Sequence, residues 1–138
     1  MAVNGFHGSI IHIDLSDKSV KIANTDRSFY RKYPGGPALR TYYALKDIPA
    51  GAEALSPDNA LIISSSILVG APGPSTPRVT ISAKSPLTGA IGKSEAGGFW
   101  GAEFKSTGYD ALVIKGKASD PSCIAIEDDE ISIDRKST

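Results

Sequence analysis

The residues of this chain with the clearest potential for chemistry are Arg78 and the glycine pair Gly97-Gly98. A guanidinium stays charged at any working pH and can donate parallel hydrogen bonds to a phosphate or to a planar heterocycle. Paired glycines ahead of a helix leave backbone N–H groups free, and the helix dipole adds a positive field there. Together these residues predict a site for a phosphate-bearing ligand.

Each of these features also has a purely structural interpretation, and the residues alone leave both open. An arginine more often pins a loop to a nearby carboxylate or carbonyl, and paired glycines more often serve close packing or a turn. The motifs G-x-x-x-x-G-K-[ST] and G-x-G-x-x-G do not occur, which disfavours ATP and dinucleotides. No side chain resembles a nucleophile with its own base, so no catalytic residue is assigned.

The remaining reactive side chains are given no functional role. His7 and His12 lack a spaced cysteine or carboxylate partner, so neither is predicted to bind metal. Phe99 and Trp100 are expected to pack the following helix against a sheet or to line an interface. Cys123 is the single cysteine, which excludes an internal disulfide or a multi-thiolate cluster on this chain, and its strand pattern predicts a buried, inert thiol.

Length and composition favour a single domain over residues 1–138. With 138 residues and 41% hydrophobic content the chain can bury one core. The formal net charge of +0, from 15 basic and 15 acidic residues, disfavours binding to nucleic acid or to an anionic membrane. The sequence contains no apolar run long enough for a membrane span and no leader pattern, and we expect a cytoplasmic protein.

Strands and loops around Arg78 must position the predicted site. An irregular loop rich in glycine and proline, residues 70–77, precedes a strand at 80–82. Residues 92–98 are predicted to form a second loop, and residues 99–107 a helix with Gly108 as its C-cap. Because adjacent strand ends bring their loops together, both loops are expected beside Arg78.

The rest of the chain predicts an α+β fold with antiparallel or mixed sheets and two short helices. Alternating apolar residues indicate a β-hairpin at each end of the sequence, and apolar runs indicate buried strands between them. Pro37 is well placed in the first turn of the other helix. The predicted segments are hairpins at 9–22 and 122–134, the second turning at Asp128-Asp129, buried strands at 60–64 and 111–114, and a helix through Leu39, Tyr42, Tyr43 and Leu45.

The same stretch carries a family resemblance. The motifs that carry it are Lys84-Ser85-Pro86-Leu87-Thr88-Gly89, Gly97-Gly98-Phe99, Glu103-Phe104-Lys105, Gly108-Tyr109-Asp110 and Gly116-Lys117. This pattern resembles the N-terminal domain of the aldehyde ferredoxin oxidoreductases, enzymes that hold tungsten or molybdenum on two pyranopterin dithiolenes. The resemblance extends from Gly8 to about Asp134 and is strongest from Gly70 onward.

The resemblance implies which residues touch the cofactor. Arg78 matches an arginine that contacts the bis-pyranopterin, and Glu95, Ala96, Gly97 and Gly98 match the loop that touches its phosphates. The main-chain carbonyl of Glu95 matches a ligand of the magnesium ion that bridges those phosphates. The family commonly has a small polar residue such as Asn at this position, and a carboxylate facing phosphate would repel it.

A second departure concerns the first glycine pair. Gly35-Gly36-Pro37-Ala38-Leu39 differs from the usual Gly-Gly-Arg-Gly-Leu pattern, so an arginine contact there, if the family uses one, is lost.

The resemblance implies a function that this chain performs only with others. Family members oxidise aldehydes to carboxylic acids and pass electrons through a [4Fe–4S] cluster to ferredoxin, and the cluster and acid–base residues lie in further domains. We therefore expect an incomplete module or small subunit that is inactive alone, requires remaining domains or a partner subunit, and tends to oligomerise. The alternative is a non-catalytic structural or interaction subunit that keeps the fold without cofactor.

Overall fold

A computed structural model describes residues 5–73, 76–127 and 130–135. Three helices and eight strands lie within these residues. The strands are β1 (Ser9–Asp14), β2 (Ser19–Asn24), β3 (Ala60–Ser65), β4 (Val79–Lys84), β5 (Ile91–Ala96), β6 (Ala111–Lys115), β7 (Ser122–Glu127) and β8 (Glu130–Arg135), and the helices are α1 (Arg27–Lys32), α2 (Gly36–Asp47) and α3 (Trp100–Ser106).

Six strands form one mixed sheet in the order β2-β1-β6-β3-β4-β5. The β1–β6 pair is parallel, and every other neighbouring pair in this sheet is antiparallel. Strands β7 and β8 form a separate antiparallel hairpin. The order places β5 and β2 at the two edges, so β4–β5 is an edge hairpin.

Alternating side chains on the central strands supply two hydrophobic cores, one on each face of the sheet. Ile10 and Val113 face α2, where Leu39 and Tyr43 are buried against them. The opposite face is covered by α3 and by the β7–β8 hairpin. Its core contains Ile11, Ile13, Phe104, Tyr109 and Leu112, with Ile124, Ile126, Ile131 and Ile133 of the hairpin packed against them.

The predicted α+β class, both hairpins and the two buried strands are confirmed. The prediction that residues 92–98 form a loop is wrong, because Ile91–Ala96 is a strand paired along its whole length with β4. Its sequence, IGKSEA, carries no apolar alternation because most of its side chains are exposed at the sheet edge. Asp128-Asp129 of the second hairpin, and Pro74 and Ser75 of the irregular loop, lie outside the described residues.

Two further details differ from the sequence predictions. Cys123 is exposed rather than buried, because Ile124 and Ile126 take the inward positions of β7. The structure also adds a third short helix, α1, which begins at an N-cap where the Asp26 carboxylate accepts a hydrogen bond from the Phe29 N–H at 2.9 Å. Leu45 in α2 is exposed instead of packed.

Candidate functional site

Three glycine-containing segments meet at one end of the six-stranded sheet. Ser65 at the end of β3 pairs with Val79 at the start of β4, and Val79 pairs with Ala96 at the end of β5. The loop before Arg78 and the turn after Ala96 therefore lie side by side. Gly35, ahead of α2, joins the same end through a bridge to Ser66. The loop before Arg78 thus lies beside the Gly97-Gly98 turn, although most of the second predicted loop is strand β5.

Arg78, Glu95 and Lys93 form a charged cluster at this end, which we call the counter-ion triad. Arg78 Nη1 lies 3.3 Å from Glu95 Oε2, and Lys93 Nζ lies 2.7 Å from Glu95 Oε1. The Arg78 side chain is 68% exposed and the Glu95 side chain 30%. Arg78 therefore does pin a neighbouring strand, as the structural interpretation required, and it remains open to solvent.

The electrostatics of the triad favour an ionised carboxylate. The hydrogen bond and charge of Lys93, followed by those of Arg78, lower the pKa of the Glu95 carboxyl. With two cations and one carboxylate the triad carries a net charge of +1. The negative charge of Glu95 is therefore more than neutralised by the positive charges of Arg78 and Lys93.

The glycine pair after β5 is open on its outer side. A Cβ atom built on Gly97 or on Gly98 would meet no other heavy atom within 4 Å. Gly98 has φ of +95°, which disfavours any L side chain, whereas Gly97 does not have a left-handed φ. The backbone conformation therefore requires glycine at position 98. At position 97 it does not, and the space beside Gly97 is open.

Helix α3 begins just beyond this turn and is held tightly against the start of β4. A Cβ on Gly101 would lie 2.6 Å from the carbonyl oxygen of Pro77, so only glycine permits this approach. The helix is seven residues long, which gives its dipole less weight than the sequence suggested. The open backbone of residues 97–98 is the better candidate for contact with a ligand.

Aromatic side chains project beside the same turn. Phe99 is 87% exposed and Trp100 49% exposed, while Phe104 carries the packing of α3 on the sheet. The Trp100 and Phe104 rings stack with centroids 5.1 Å apart. Of the two roles expected for Phe99 and Trp100, packing of the helix against the sheet is therefore not seen for Phe99. Their role at an interface stays a prediction.

A buried polar network lies behind these loops. The Asp110 carboxylate is fully buried and accepts hydrogen bonds from the backbone N–H of His7 at 2.9 Å, the backbone N–H of Gly8 at 2.7 Å and the Tyr30 hydroxyl at 2.6 Å. Its other oxygen pairs with the buried Lys105 ammonium. Burial, and then the hydrogen bond to Asp110, raises the pKa of Tyr30 well above its usual value.

This network fixes the N-terminal segment, α1, α3 and the start of β6 at one point. Sequence reasoning missed it because its members lie up to 103 residues apart. No local periodicity links them.

Helix α2 is fastened to the strands beside the site by polar contacts. The Arg40 guanidinium donates to Ser82 Oγ at 2.6 Å, and Ser64 Oγ donates to the Gly36 carbonyl at 2.7 Å. A Cβ on Gly35 would lie 2.6 Å from the Ser65 carbonyl oxygen. The first glycine pair thus serves close approach of α2 to β3.

Two negative findings hold for the part of the chain that the structure describes. Residues 5–73, 76–127 and 130–135 contain no helix long and apolar enough to cross a membrane. Within the same ranges no three side chains of histidine, cysteine or acidic residues come together in a way that could hold a metal ion.

Comparison with known proteins identifies relatives of this chain. The family model described as aldehyde ferredoxin oxidoreductase, N-terminal domain, matches residues 10–138. A tungsten-containing aldehyde ferredoxin oxidoreductase of Pyrococcus furiosus is 40% identical over 129 residues, covering 94% of this chain and 21% of that protein. The aliphatic sulfonate oxidoreductase, WOR-like subunit, of the same organism is 31% identical over 132 residues, covering 93% of this chain and 21% of that protein.

A solved structure has the same fold. The active-site complex BamBC of benzoyl coenzyme A reductase, in complex with 1,5-dienoyl-CoA, contains a chain that matches with a TM-score of 0.90 and 30% identity. The match covers 94% of this chain and 20% of that one.

The fold and these matches define the class as an oxidoreductase-family domain. The chain belongs to the aldehyde ferredoxin oxidoreductase family, within its N-terminal domain. It spans about a fifth of the length of the relatives that it matches.

Proposed function

We propose that this chain is the cofactor-binding base of a tungsten- or molybdenum-pterin oxidoreductase, a single domain over residues 1–138 that works in the cytoplasm. The observation that carries the proposal is the meeting of an exposed, cationic Arg78 with the open backbone of Gly97-Gly98 at one sheet end. Family membership supplies the class of ligand, a bis-pyranopterin with phosphate groups.

The residues present fit such a group. Among the described residues, the Arg78 side chain makes one hydrogen bond, to Glu95, although a guanidinium has five N–H donors. A Cβ would meet nothing at Gly97, so a phosphate can approach the backbone there. Exposed Phe99 and Trp100 beside the turn offer apolar surface for a planar ring or a covering domain.

The proposed work of the protein is positioning. The bound metal would supply the two-electron redox chemistry, and the protein fixes its place and orientation. Arg78 holds a phosphate or a pterin edge by charge-assisted hydrogen bonds, and the N–H groups of Gly97 and Gly98 hold phosphate oxygens. The main-chain carbonyl of Glu95 would be a ligand of the magnesium ion that accompanies the cofactor phosphates.

The whole enzyme, as proposed, needs more than this chain. Its remaining domains or a partner subunit hold a [4Fe–4S] cluster and pass electrons to ferredoxin or a similar carrier, and the reaction is oxidation of an aldehyde to a carboxylic acid. Exposed apolar side chains at the site end, Leu68, Phe99 and Trp100, are the surface such a partner would cover. Without that cover we expect the isolated chain to self-associate.

Metal and pterin analysis of the chain purified with its natural partners tests the proposal. We expect tungsten or molybdenum together with pterin at two pterins per metal. Gly97→Val should fold normally, because its Cβ is unopposed and its φ is not left-handed, yet lose cofactor. Gly92→Ala on β5, whose Cβ would make ordinary contacts with Ala83 and Ser85, is the control and should keep it. Full cofactor occupancy in folded Gly97→Val would refute the phosphate cradle.

One observation favours the alternative of a non-catalytic interaction subunit. The Glu95 carboxylate already engages Arg78, which a purely structural ion pair would also do. On that view the purified complex contains neither metal nor pterin, and Arg78→Ala changes only the stability of the β4–β5 hairpin. The same metal and pterin analysis separates the two functions.

A further inference from the structure

We infer that Glu95 and Lys93 prepare Arg78 for a phosphate by exchange of counter-ions. In this scheme Glu95 holds the guanidinium until the phosphate arrives, and Lys93 then retains the released carboxylate. The inference rests on the proposed phosphate site at Arg78, and it assigns a role in ligand specificity to two further side chains.

The two contacts of the Glu95 carboxylate are unequal. The Lys93 ammonium lies at 2.7 Å, a normal length for a charge-assisted hydrogen bond, whereas the Arg78 contact is a single one at 3.3 Å. A phosphate dianion that accepts two parallel hydrogen bonds from Arg78 is the better acceptor. Arg78 is therefore the partner that Glu95 loses first.

Strand register permits this exchange without a backbone shift. Lys93 and Glu95 are two residues apart on β5, so their side chains share a face, opposite Ser82 and Thr80 of β4. Arg78 precedes Thr80 by two residues and points to that same face. The carboxylate thus lies between two cations, and a turn of the Arg78 side chain toward Gly97 leaves Glu95 with Lys93.

Lys93 also decides whether Glu95 repels the ligand. A carboxylate released beside a phosphate would oppose binding if no cation balanced it, because like charges at close range repel. The triad is exposed, with Lys93 at 50%, so the cost of rearranging these side chains is small. The arrangement selects ligands that compete well with a carboxylate, namely phosphates, and rejects simple carboxylates.

Opposite effects of the two substitutions test the inference. We would titrate the 138-residue chain and its variants with inorganic pyrophosphate by calorimetry at low ionic strength. Glu95→Gln should tighten binding about 2- to 5-fold, and Lys93→Gln should weaken it by a similar factor, the range expected for exposed ion pairs. In the Glu95→Gln background the effect of Lys93→Gln should shrink by at least about half on a logarithmic scale.

Lys84→Gln is the matched control. Lys84 lies on the same strand as Thr80 and Ser82 but six residues from Arg78, about 20 Å along an extended strand. The Lys84→Gln substitution removes the same charge as Lys93→Gln, and it should have little effect on the affinity for pyrophosphate. Acetate in place of pyrophosphate should give no measurable binding to the wild-type chain.

The outcomes separate this inference from the proposed site. If Arg78→Ala abolishes pyrophosphate binding but Glu95→Gln leaves it unchanged or weaker, the exchange role is overturned and the phosphate site stands. An equal effect of Lys93→Gln in both backgrounds also overturns it. If neither the wild-type chain nor Glu95→Gln binds pyrophosphate, or Arg78→Ala binds it equally well, both proposals fail. Circular dichroism of each variant verifies the fold.

Discussion

Two carboxylates at the same end of the sheet serve opposite purposes. Asp110, behind the loops, is fully buried and accepts from two backbone N–H groups, one hydroxyl and one ammonium. Glu95, at the edge, is partly exposed and contacts two cations. Each carboxylate is paired with a lysine. Only Glu95 is exposed, so only there could an anionic ligand replace the carboxylate as the partner of a cation.

Burial explains the difference. A buried charge must have every partner satisfied, because losing one leaves an uncompensated group in a medium that cannot solvate it. An exposed ion pair contributes little net stability, since water can replace either partner. Asp110 is thus fixed as part of the fold, whereas Glu95 can give up Arg78 at small cost. Under the proposed function, the residues that stabilise the fold and those that bind the ligand are therefore different groups at the same end of the sheet.

The largest expected effect is on the buried side. Asp110→Ala leaves the Lys105 ammonium and the Tyr30 hydroxyl without their acceptor, and we expect a loss of about 3–5 kcal/mol in the free energy of unfolding. Urea denaturation followed by circular dichroism measures it. Glu95→Ala is the matched control and should change stability by less than about 1 kcal/mol. Equal losses in the two variants would contradict the comparison.

Arg78→Ala should show the reverse pattern, with the fold kept and the ligand lost. Removing a charge-assisted contact costs about 1.5–3 kcal/mol of cofactor binding, so pterin content of the assembled enzyme falls. The urea midpoint should stay close to that of the wild type, because the guanidinium is mostly exposed. Normal pterin occupancy in this variant would remove Arg78 from the proposed site.

The glycine pair gives a smaller and more local contrast. Gly98→Ala places a side chain at φ of +95°, and we expect destabilisation of about 1–2 kcal/mol. Gly97→Ala should leave the free energy of unfolding nearly unchanged, since its Cβ is unopposed. Thermal unfolding of the two variants side by side checks this. Similar losses in both would mean that Gly97 also serves the backbone.

The smallest expected effect is on the pH dependence of stability and concerns His12. Its side chain is partly buried, between the full burial of Asp110 and the exposure of Glu95. Burial lowers the pKa of His12, with the charge of Asp47 acting in the opposite direction. The unfolded chain therefore binds more protons than the folded one near and below pH 6.5, so stability falls as pH drops through that range. His12→Gln should flatten the decline between about pH 7.5 and 5.5 by a fraction of 1 kcal/mol. An identical slope in both proteins would contradict it.

Local patterns in the sequence were enough to predict much of the fold. Apolar alternation identified the first hairpin, and continuous apolar runs identified the strands around Ile62 and Leu112, because these segments face a core. Strand β5 was missed for the converse reason, since an edge strand exposed on both sides has no apolar period. The buried state predicted for Cys123 failed because the hairpin buries only one of its faces.

The site could be predicted only in outline. Arg78 and Gly97-Gly98 were found from residue type and resemblance, and the β4–β5 register brings them together. The ion pair of Arg78 with Glu95 depends on that register, which the missed strand concealed. The Asp110 network joins residues about 100 positions apart and has no local signal. Contacts between residues so far apart in the chain cannot be predicted from the local pattern of one sequence.

The parallel pairing of β1 with β6 has a consequence for biosynthesis. Ile10 lies beside Ala111, so the first strand made finds its central neighbour only after 101 further residues have been added. At about 5–20 residues per second, translation leaves β1 waiting roughly 5–20 seconds. During that time its apolar faces have only the β2 hairpin partner, and such unpaired strands favour aggregation. Nascent chains of this protein are therefore expected to be chaperone clients, and slow refolding should follow from the same non-local topology.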